Sequence, residues 1–565
     1  IPDDPSTCHF ERSEAESRNL PLTPESITVI DPACGSGHIL TYCFDLLMKI
    51  YTEAGYTARD AVQSVFENNL SGIEIDPRAA ELASFALTMK ACEYDPRYLS
   101  RQNRAVPQVT CLAPVQIDQQ ELDASIPYLA DRAKLLDAMA HADECGSLFV
   151  PDEADTIAID DALSRLCESG DLFADHAREK LERMRENCKA LARTYDVVVA
   201  NPPYMGSSNM GRWLADWTKR NYPDSKRDLC TCFIERAFTL ANPEGYSAMI
   251  TMQSWMFLSN AEALRSKLLK AFSIETMAHL GTRAFDSIGG EVVSTTATVF
   301  KRGAAGDAGS YVRLVDYGNE AEKQGALREA IANPDCGWLY RRSADAFSAI
   351  PGTPIAYWAS DAMIRAFEMQ KLSKYCRSGG RTKTHNNELF IRYWWEVNRS
   401  SIITMWLPYA NGGGFSRWSG LDLEVVNWSE KAQDCYSIHG GLPKAGFNED
   451  DAVCWGLITS DITSFRLKKH GYGFSSGSPT VKASKQLDNE LILALLNSSV
   501  ANALIGQFSP TLNTTVSDVL STPICSSYPA KKITVFSKEC ISQVDSNWNA
   551  FEISRDFQRH PMVGD

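Results

Sequence analysis

The sequence predicts an α/β protein: an open, mainly parallel sheet flanked by helices, followed by a second, mixed and β-rich module. Three observations carry that prediction. The apolar run Ile27-Thr-Val-Ile30 stops at the glycine-rich turn Asp31-Pro-Ala-Cys-Gly-Ser-Gly37 and passes into an apolar helix. A second run, Tyr195-Asp-Val-Val-Val-Ala200, stops at the polar turn Asn201-Pro-Pro-Tyr204. Beyond residue 370 the chain becomes rich in Trp and Gly. Strand, tight turn and helix in succession build βαβ units, whose strands pair in parallel.

The elements follow in order. Residues 1–26 are a polar lead-in. Ile39–Ile50 is apolar on most faces, as expected of a helix lying on a sheet. Leu70–Ile75 reads as the second strand, ends in Asp76-Pro77, and is followed by a helix over 78–93. Residues 100–190, rich in Ala, Leu, Glu and Arg, read as a mainly helical insertion. Strand character returns at Val197–Val199. A helix over Leu229–Ala241, a strand over Tyr246–Ile250 and an alternating strand over Val292–Phe300, placed near the sheet edge, complete a first domain spanning 27–302. Residues 303–370 read as a connector that opens on the small-residue run Gly303–Ser310. Residues 371–525 form the second module, with long loops at Asn411–Gly414 and Gly471–Gly477 and a short helix opening at Leu491. Residues 526–565 are a C-terminal segment leading to a region outside this sequence. The chain begins at Ile1, and a piece of a longer protein is expected.

Composition narrows the function classes. With 565 residues, 44% apolar and 22% charged, the chain is ordinary for a globular protein of several domains. No apolar stretch approaches ~18 uninterrupted residues, so no membrane span is expected, and no signal-peptide pattern is visible. Sixteen cysteines include no Cys-x-x-Cys pair, which favours free thiols in a reducing cytoplasm and no metal site. The net charge of −15 argues against a uniformly DNA-coating surface. Residues 371–485, however, carry 15 Lys and Arg against 10 Asp and Glu. A local basic surface on an acidic body can still meet phosphates.

The first turn has the chemistry of a nucleoside-cofactor site. It lies where a parallel strand ends and a helix begins, the crevice in which such sheets bind ligands. Gly35 and Gly37 let backbone approach the ligand, and the helix N-terminus supplies free amides. Asp31 is placed to accept from a cofactor ammonium, and Glu74, at the second strand's end, from two ribose hydroxyls. The alternative is a merely structural glycine turn.

The second turn suits an exocyclic amine, whose lone pair is delocalised into its ring. Accepting both N–H hydrogens favours a pyramidal, more nucleophilic nitrogen. The Asn201 side-chain carbonyl and the Pro202 backbone carbonyl are the two acceptors, held by the fixed φ of Pro202 and Pro203. Tyr204 is placed to stack on the ring. The plain alternative is an Asn-Pro turn closing a strand. A base in duplex DNA reaches such a slot only when flipped out of the stack. Phe285, before Gly289-Gly290, is the candidate second wall, the alternative being a core aromatic.

These residues resemble the γ-class N6-adenine DNA methyltransferases. Asp31–Gly37 resembles their S-adenosylmethionine motif, Gly72-Ile-Glu-Ile-Asp-Pro77 the motif whose acidic residue holds the cofactor ribose, and Asn201–Tyr204 their catalytic motif. The likeness is closer still to the adenine-specific methyltransferases of BREX phage-exclusion systems. The stretches that carry this are His38–Leu47, Asn221–Lys226, Gln253–Leu258, Gly289–Val293, Pro354–Trp358, Arg392–Val397, Pro510–Asn513 and Phe551–Phe557.

The resemblance implies a Rossmann-like S-adenosylmethionine-dependent methyltransferase domain followed by a target recognition domain. It implies S-adenosylmethionine held by Asp31, Pro32, Ala33, Cys34, Gly35, Gly37, His38, Glu74, Ile75 and Asn201. It implies methylation of a flipped adenine at an asymmetric site in double-stranded host DNA, within a complex of other BREX proteins. A phage-encoded DNA-mimic inhibitor is left open as an occupant of the DNA groove. The chain departs from the family at Gly379-Gly-Arg-Thr-Lys-Thr-His-Asn-Asn387, where Gly-Thr-Gly-Asp-Asn is usual. The acidic residue that contacts the cofactor adenine is hidden by the 100–190 insertion.

Candidate DNA contacts are Arg377, Arg381, Lys383, Arg466, Lys468 and Lys469, each of which is also readable as a solvated surface cation. Competing functions are a methyltransferase acting on an RNA base or a protein glutamine, and a DNA-binding scaffold without turnover. A nuclease fusion is not supported, since the (Asp/Glu)-x-Lys triplet, Asp224-Ser-Lys226, falls inside the methyltransferase region.

Overall fold

The computed structural model of the chain describes residues 23–563, apart from 119–121, 123–125, 167–171, 287–292, 304–307, 439, 444–449, 460–461, 485–486, 509–512, 526 and 561. Most of the expected lead-in, Gly289-Gly290 and most of Pro510–Asn513 lie outside the described residues. The described residues up to Trp255, with Ser266–Ala344, form one compact unit. Met256–Arg265, with the described residues from Asp345 onward, form a second.

Nine strands, counted among the described residues, make the sheet of the first unit: β1 (Val29–Asp31), β2 (Leu70–Glu74), β3 (Gln108–Cys111), β4 (Tyr195–Ala200), β5 (Ala241–Met252), β6 (Phe272–Gly281), β7 (Thr295–Arg302), β8 (Gly309–Arg313) and β9 (Leu339–Arg342). They lie in the order β3-β2-β1-β4-β5-β7-β6-β8-β9. The half from β3 to β5 is parallel, and β7 runs antiparallel to both neighbours. From β1 the chain winds outward to β2 and β3, then returns to β4 on the other side. The switch in winding direction therefore falls between β1 and β4, where such sheets open a binding crevice.

Helix α1 (His38–Glu53) buries Leu40, Phe44, Leu47 and Tyr51, residues spaced to form one face. Helix α2 (Pro77–Tyr94) starts with Pro77 behind the Asp76 side chain, which accepts from the Arg78 amide. The two helices and β1 share a core that includes Phe44 and Phe66, with ring centroids 5.3 Å apart.

Three sequence expectations need correction here. The 100–190 span is not helical from its start: it contributes β3 to the sheet edge before α3 (Glu153–Leu166) and α4 (Leu172–Ala192). The alternating strand at 295–302 is interior, held between β5 and β6. Its alternation reflects one buried and one half-buried face, not an edge. The sheet does not end near 302, because β8, a helix over Glu320–Ala332 and β9 all fall in the expected connector.

Among its described residues, the second unit holds two four-stranded sheets. One is ordered β10 (Cys376–Arg377), β17 (Thr480–Ala483), β14 (Ala452–Trp455), β15 (Phe465–Lys468); the other β11 (Ile391–Tyr393), β13 (Glu424–Asn427), β12 (Trp406–Ala410), β16 (Gly473–Phe474). Trp455, Phe465, Val481 and the leucines of α5 (Asn489–Leu496) fill its main core. The described residues of the C-terminal segment pack within this unit. Helix α6 (Ala530–Trp548) packs on α5 and the loops, with Ser537 Oγ donating to the Glu490 carbonyl at 2.7 Å. Trp394 Nε1 donates to the Ile553 carbonyl at 2.9 Å. Among the described residues, no single helix is long and apolar enough to cross a membrane.

Candidate active site

The register of the parallel strands brings the two sequence turns to one edge. Asp31 pairs with Gly72 of β2, and Ile30 with Val198 of β4. Glu74 and Asn201 therefore each lie two residues beyond the level of Asp31, on the strands that flank it. Strand spacing puts their backbones ~10 Å apart across β1.

The first turn is built around two carboxylates. Asp31 is buried and accepts from the Ala33 amide at 3.0 Å. Burial pushes its carboxyl up to about 7; the Ala33 amide opposes this and the nearby Glu74 charge adds to it. Among the described residues no cation pairs with it. Glu74 ties the crevice together, since one oxygen accepts from the Gly35 amide at 2.7 Å and the other from the Ile75 and Asp76 amides at 2.9 and 3.0 Å. Gly35 and Gly37 have φ of 53° and 84°. A Cβ on Gly37 would stand 3.0 Å from Ala83, so glycine lets α1 start against α2; above Gly35 there is open space. His38 is exposed at the start of α1, Pro32 is buried and Ala33 half-buried. Burial, with the Asp31 and Glu74 charges, pushes the buried Cys34 thiol up, which suits a packing role and not a nucleophile.

The second turn lies one strand away. Asn201 is exposed, Pro202 buried, Pro203 exposed and Tyr204 half-buried. The Tyr204 hydroxyl sits 3.2 Å from Asn201 Oδ1 and 3.1 Å from the Ile250 carbonyl. Burial pushes its phenol up, so it stays a donor. The turn is pinned downstream, where the Leu229 amide donates to the Met205 carbonyl at 3.0 Å and Ser207 to Arg227 at 2.8 Å. Asp228 caps the helix over Leu229–Leu240 by accepting from the Cys230 amide.

Phe285 is half-buried and follows β6. Since β6 runs parallel to β4, its C-terminal end, four residues before Phe285, lies at the same sheet edge as Asn201, about three strand spacings, ~14 Å, to the side.

Sequence reasoning missed part of the crevice. Ser147, in the insertion, donates to the Pro32 carbonyl at 2.5 Å, and a Cβ on Gly146 would stand 2.9 Å from Ile75. The fully buried Arg236 donates from Nε to the Ser147 carbonyl at 2.7 Å and from Nη2 to the Leu191 carbonyl at 2.6 Å. The insertion thereby backs the first turn, and Arg236 ties it to the helix that follows the second. Its only sequence trace is the Gly146-Ser147 pair inside a helical stretch. The end of β3, hidden in the sequence, is now located. It carries Cys111, Leu112 and Ala113, and no carboxylate follows before Asp118.

The candidate DNA contacts separate. Arg377, Arg381 and Lys469 are exposed and Lys383 half-buried. Arg377 has Asp450 within 3.7 Å. Arg466 and Lys468 are corrections: they are 1% and 3% exposed, so neither reaches a phosphate. Lys468 Nζ pairs with Asp422 and donates to the Gly420 carbonyl at 2.6 Å.

The chain is similar to several known proteins. Residues 68–285 match the Eco57I restriction-modification methylase family. The chain is 34% identical over 575 residues to the adenine-specific methyltransferase PglX of Lacticaseibacillus casei (strain Zhang), covering 95% of this chain and 47% of that protein. It is 34% identical over 581 residues to the adenine-specific methyltransferase BrxX of Escherichia coli O9:H4 (strain HS), covering 96% and 47%. It thus spans about half the length of the curated relatives it matches. The structure of the Type IIL restriction-modification enzyme MmeI in complex with DNA aligns with a TM-score of 0.52 at 12% identity, over 94% of this chain and 67% of that one, a likeness of fold. Over nearly its whole length, this chain is similar to the PglX and BrxX adenine-specific methyltransferases, on a fold with an α/β, Rossmann-like sheet at its core.

Proposed function

We propose that the chain is the methyltransferase and target recognition portion of a site-specific DNA N6-adenine methyltransferase. It acts on a flipped adenine and marks host DNA in a BREX-type anti-phage system in the cytoplasm. The observation that carries this is the strand register, in which Asp31, Glu74 and Asn201 stand on three adjacent parallel strands at one edge.

The crevice fits S-adenosylmethionine. A buried carboxylate without a cation suits its ammonium, and the open space over Gly35 admits it. When bound, the cofactor supplies an electrophilic methyl group. Asp31 then accepts from the ammonium and Glu74 orients the ribose. Pro32, Ala33, Cys34, Gly37, His38 and Ile75 shape the cradle. Asn201 Oδ1 and the Pro202 carbonyl accept the two amine hydrogens of the adenine. The proton leaves only after the new N–C bond forms, so no strong base is needed.

Tyr204 and Phe285 are the two proposed aromatic walls for the base, and Arg377, Arg381, Lys383 and Lys469 the proposed phosphate or base contacts of the recognition module. Double-stranded DNA and other BREX proteins are the proposed partners. A phage-encoded DNA mimic would compete at the same cations.

The test is adenine methylation mapped by single-molecule sequencing in cells carrying the native gene cluster, with Asn201→Ala as the comparison. A single asymmetric motif, methylated only with Asn201 intact, is expected. Methylation that persists in Asn201→Ala sinks the catalytic assignment. Its absence in both strains, with cofactor binding intact, moves the reading to a non-DNA substrate or a scaffold.

A further inference from the structure

The loop Asn411–Gly420 in the second unit has an unusual backbone. Gly412, Gly413 and Gly414 follow one another with φ of 77°, 66° and 66°. Only glycine fits at Gly412, where a Cβ would stand 2.8 Å from the Gly477 carbonyl oxygen. Beneath the loop lies Arg466 of β15, 1% exposed. No carboxylate pairs with Arg466 among the described residues. Its Nε has no hydrogen-bond partner, and its Nη1 lies 3.4 and 3.5 Å from the carbonyls of Gly413 and Gly414. A buried guanidinium without a counter-ion is costly, so its position under the loop calls for explanation.

In a trans peptide the C=O and the following N–H point in opposite directions, and no cis peptide bond is present among the described residues. Carbonyls of Gly413 and Gly414 turned inward to Arg466 therefore turn the amides of Gly414 and Phe415 outward. Gly413, Gly414 and Phe415 are all exposed, and neither of these amides has an acceptor among the described residues. Arg417, half-buried on the same loop, has its guanidinium carbon 5.7 Å from the Phe415 ring centroid and a buried Nε without a partner. Successive free amides backed by positive charge form an anion-binding nest.

We infer that the Gly412–Phe415 loop is a phosphate-binding nest of the recognition module, which takes a DNA backbone phosphate on the amides of Gly414 and Phe415. Arg466 is its positioning residue: it never touches the phosphate, but it fixes the peptide planes and supplies positive potential from behind. The choice of DNA as the source of the phosphate rests on the proposed function; the nest itself does not.

The experiment uses the intact chain labelled with 15N-glycine and 15N-phenylalanine. Its amide signals are followed during titration with inorganic phosphate and, separately, with duplex DNA containing the methylated motif. The expected result is that duplex moves the Gly414 and Phe415 signals, and that a duplex with neutral methylphosphonates in place of the contacted phosphates does not. Arg466→Gln is expected to abolish the shift and weaken duplex binding about tenfold. It is also expected to flatten the salt dependence by about one ion, while S-adenosylmethionine affinity is retained. The methylphosphonate arm needs no variant, so it decides the matter even if Arg466→Gln misfolds. Signals that move with inorganic phosphate and not with duplex assign the nest to a free anion and overturn the DNA contact. Signals that move with neither overturn the nest, whether or not a gel shift shows DNA bound elsewhere; that gel shift separately decides the DNA-binding reading.

Discussion

The turn at Asp31–Gly37 and the loop at Asn411–Gly420 are both glycine-rich, yet their backbones face opposite ways. In the first unit, backbone amides of Ala33, Gly35, Ile75 and Asp76 close around the carboxylates of Asp31 and Glu74. In the second, backbone carbonyls of Gly413, Gly414 and Gly420 close around the cations of Arg466 and Lys468. The first arrangement leaves carboxylate lone pairs facing a crevice, which suits a cationic ligand. The second leaves amides facing solvent, which suits an anionic one. Glycine does the same job in both, since it lets a peptide plane turn without a side chain in the way. What differs is the sign of the charge the fold places underneath.

That comparison breaks most visibly at Lys468. Its pairing with Asp422 is the main compensation for a cation 3% exposed. Asp422→Asn leaves the ammonium with carbonyl oxygen and the Tyr472 ring, 5.4 Å away, but no counter-charge, and is expected to cost the second unit about 3 kcal/mol. Hydrogen–deuterium exchange read by mass spectrometry checks this: peptides spanning 411–474 should lose protection, while those spanning 29–74 should not. Equal loss in both would mean that the two turns share one cooperative unit and do not stand as separate solutions.

Asp31 gives the next largest effect. Asp31→Asn is expected to weaken S-adenosylmethionine binding by about 10- to 100-fold, the worth of a hydrogen bond to a charged group. The pH dependence has a definite sign. The carboxyl stands at about 7 without ligand, raised by burial, so it is protonated below that pH, and an ammonium ligand must displace the proton. Affinity should therefore rise with pH up to about 7 and fall again as the ligand's α-ammonium deprotonates near 8. Stability of the ligand-free chain runs the other way. A folded-state value above the unfolded one stabilises at low pH, and that contribution is lost as pH rises from about 4 through 7. Calorimetric titration at pH 6, 7 and 8 tests the first statement; in the Asp31→Asn variant the rising limb should disappear.

The two turns also differ in how tightly their glycines are held. A Cβ on Gly37 would press on Ala83 at 3.0 Å, whereas one on Gly413 would meet nothing within 4 Å. Both have positive φ, so both alanine variants carry backbone strain of about 1 kcal/mol. Gly37→Ala adds overpacking of about 1–3 kcal/mol. Urea midpoints should rank wild type, Gly413→Ala, Gly37→Ala in falling order, and a reversed order would mean that α1 shifts freely against α2.

Legibility followed sequence distance. The placement of Asp31, Glu74 and Asn201 at one sheet edge could be read because each ends, or directly follows, an apolar strand run. The insertion's share could not, because Ser147 reaches Pro32 across 115 positions. Arg466 and Lys468 alternate with Phe465 and Leu467, a pattern that reads as one buried and one solvent face. The loop around Gly413 and Gly420 covers the second face, so all four residues of β15 are buried. The extra strands β8 and β9 escaped for a similar reason: they are five and four residues long, behind a small-residue run that reads as a linker.

The finest test is at Tyr204, whose single hydroxyl proton lies between Asn201 Oδ1 and the Ile250 carbonyl. One proton cannot serve both acceptors fully, so each is only partly satisfied, and Asn201 Oδ1 keeps capacity for a substrate hydrogen. Tyr204→Phe keeps the ring and removes the latch. If the hydroxyl mainly orients the Asn201 amide, the variant should bind S-adenosylmethionine normally and methylate about fivefold more slowly, a change near 1 kcal/mol. Tyr204→Ala, which also removes the stacking surface, should lose considerably more. A rate increase in Tyr204→Phe would mean that the hydroxyl competes with the adenine amine for Asn201. A loss beyond about 100-fold would put the phenol in the chemistry itself, a role that its upward-shifted ionisation and its bond to Ile250 both oppose.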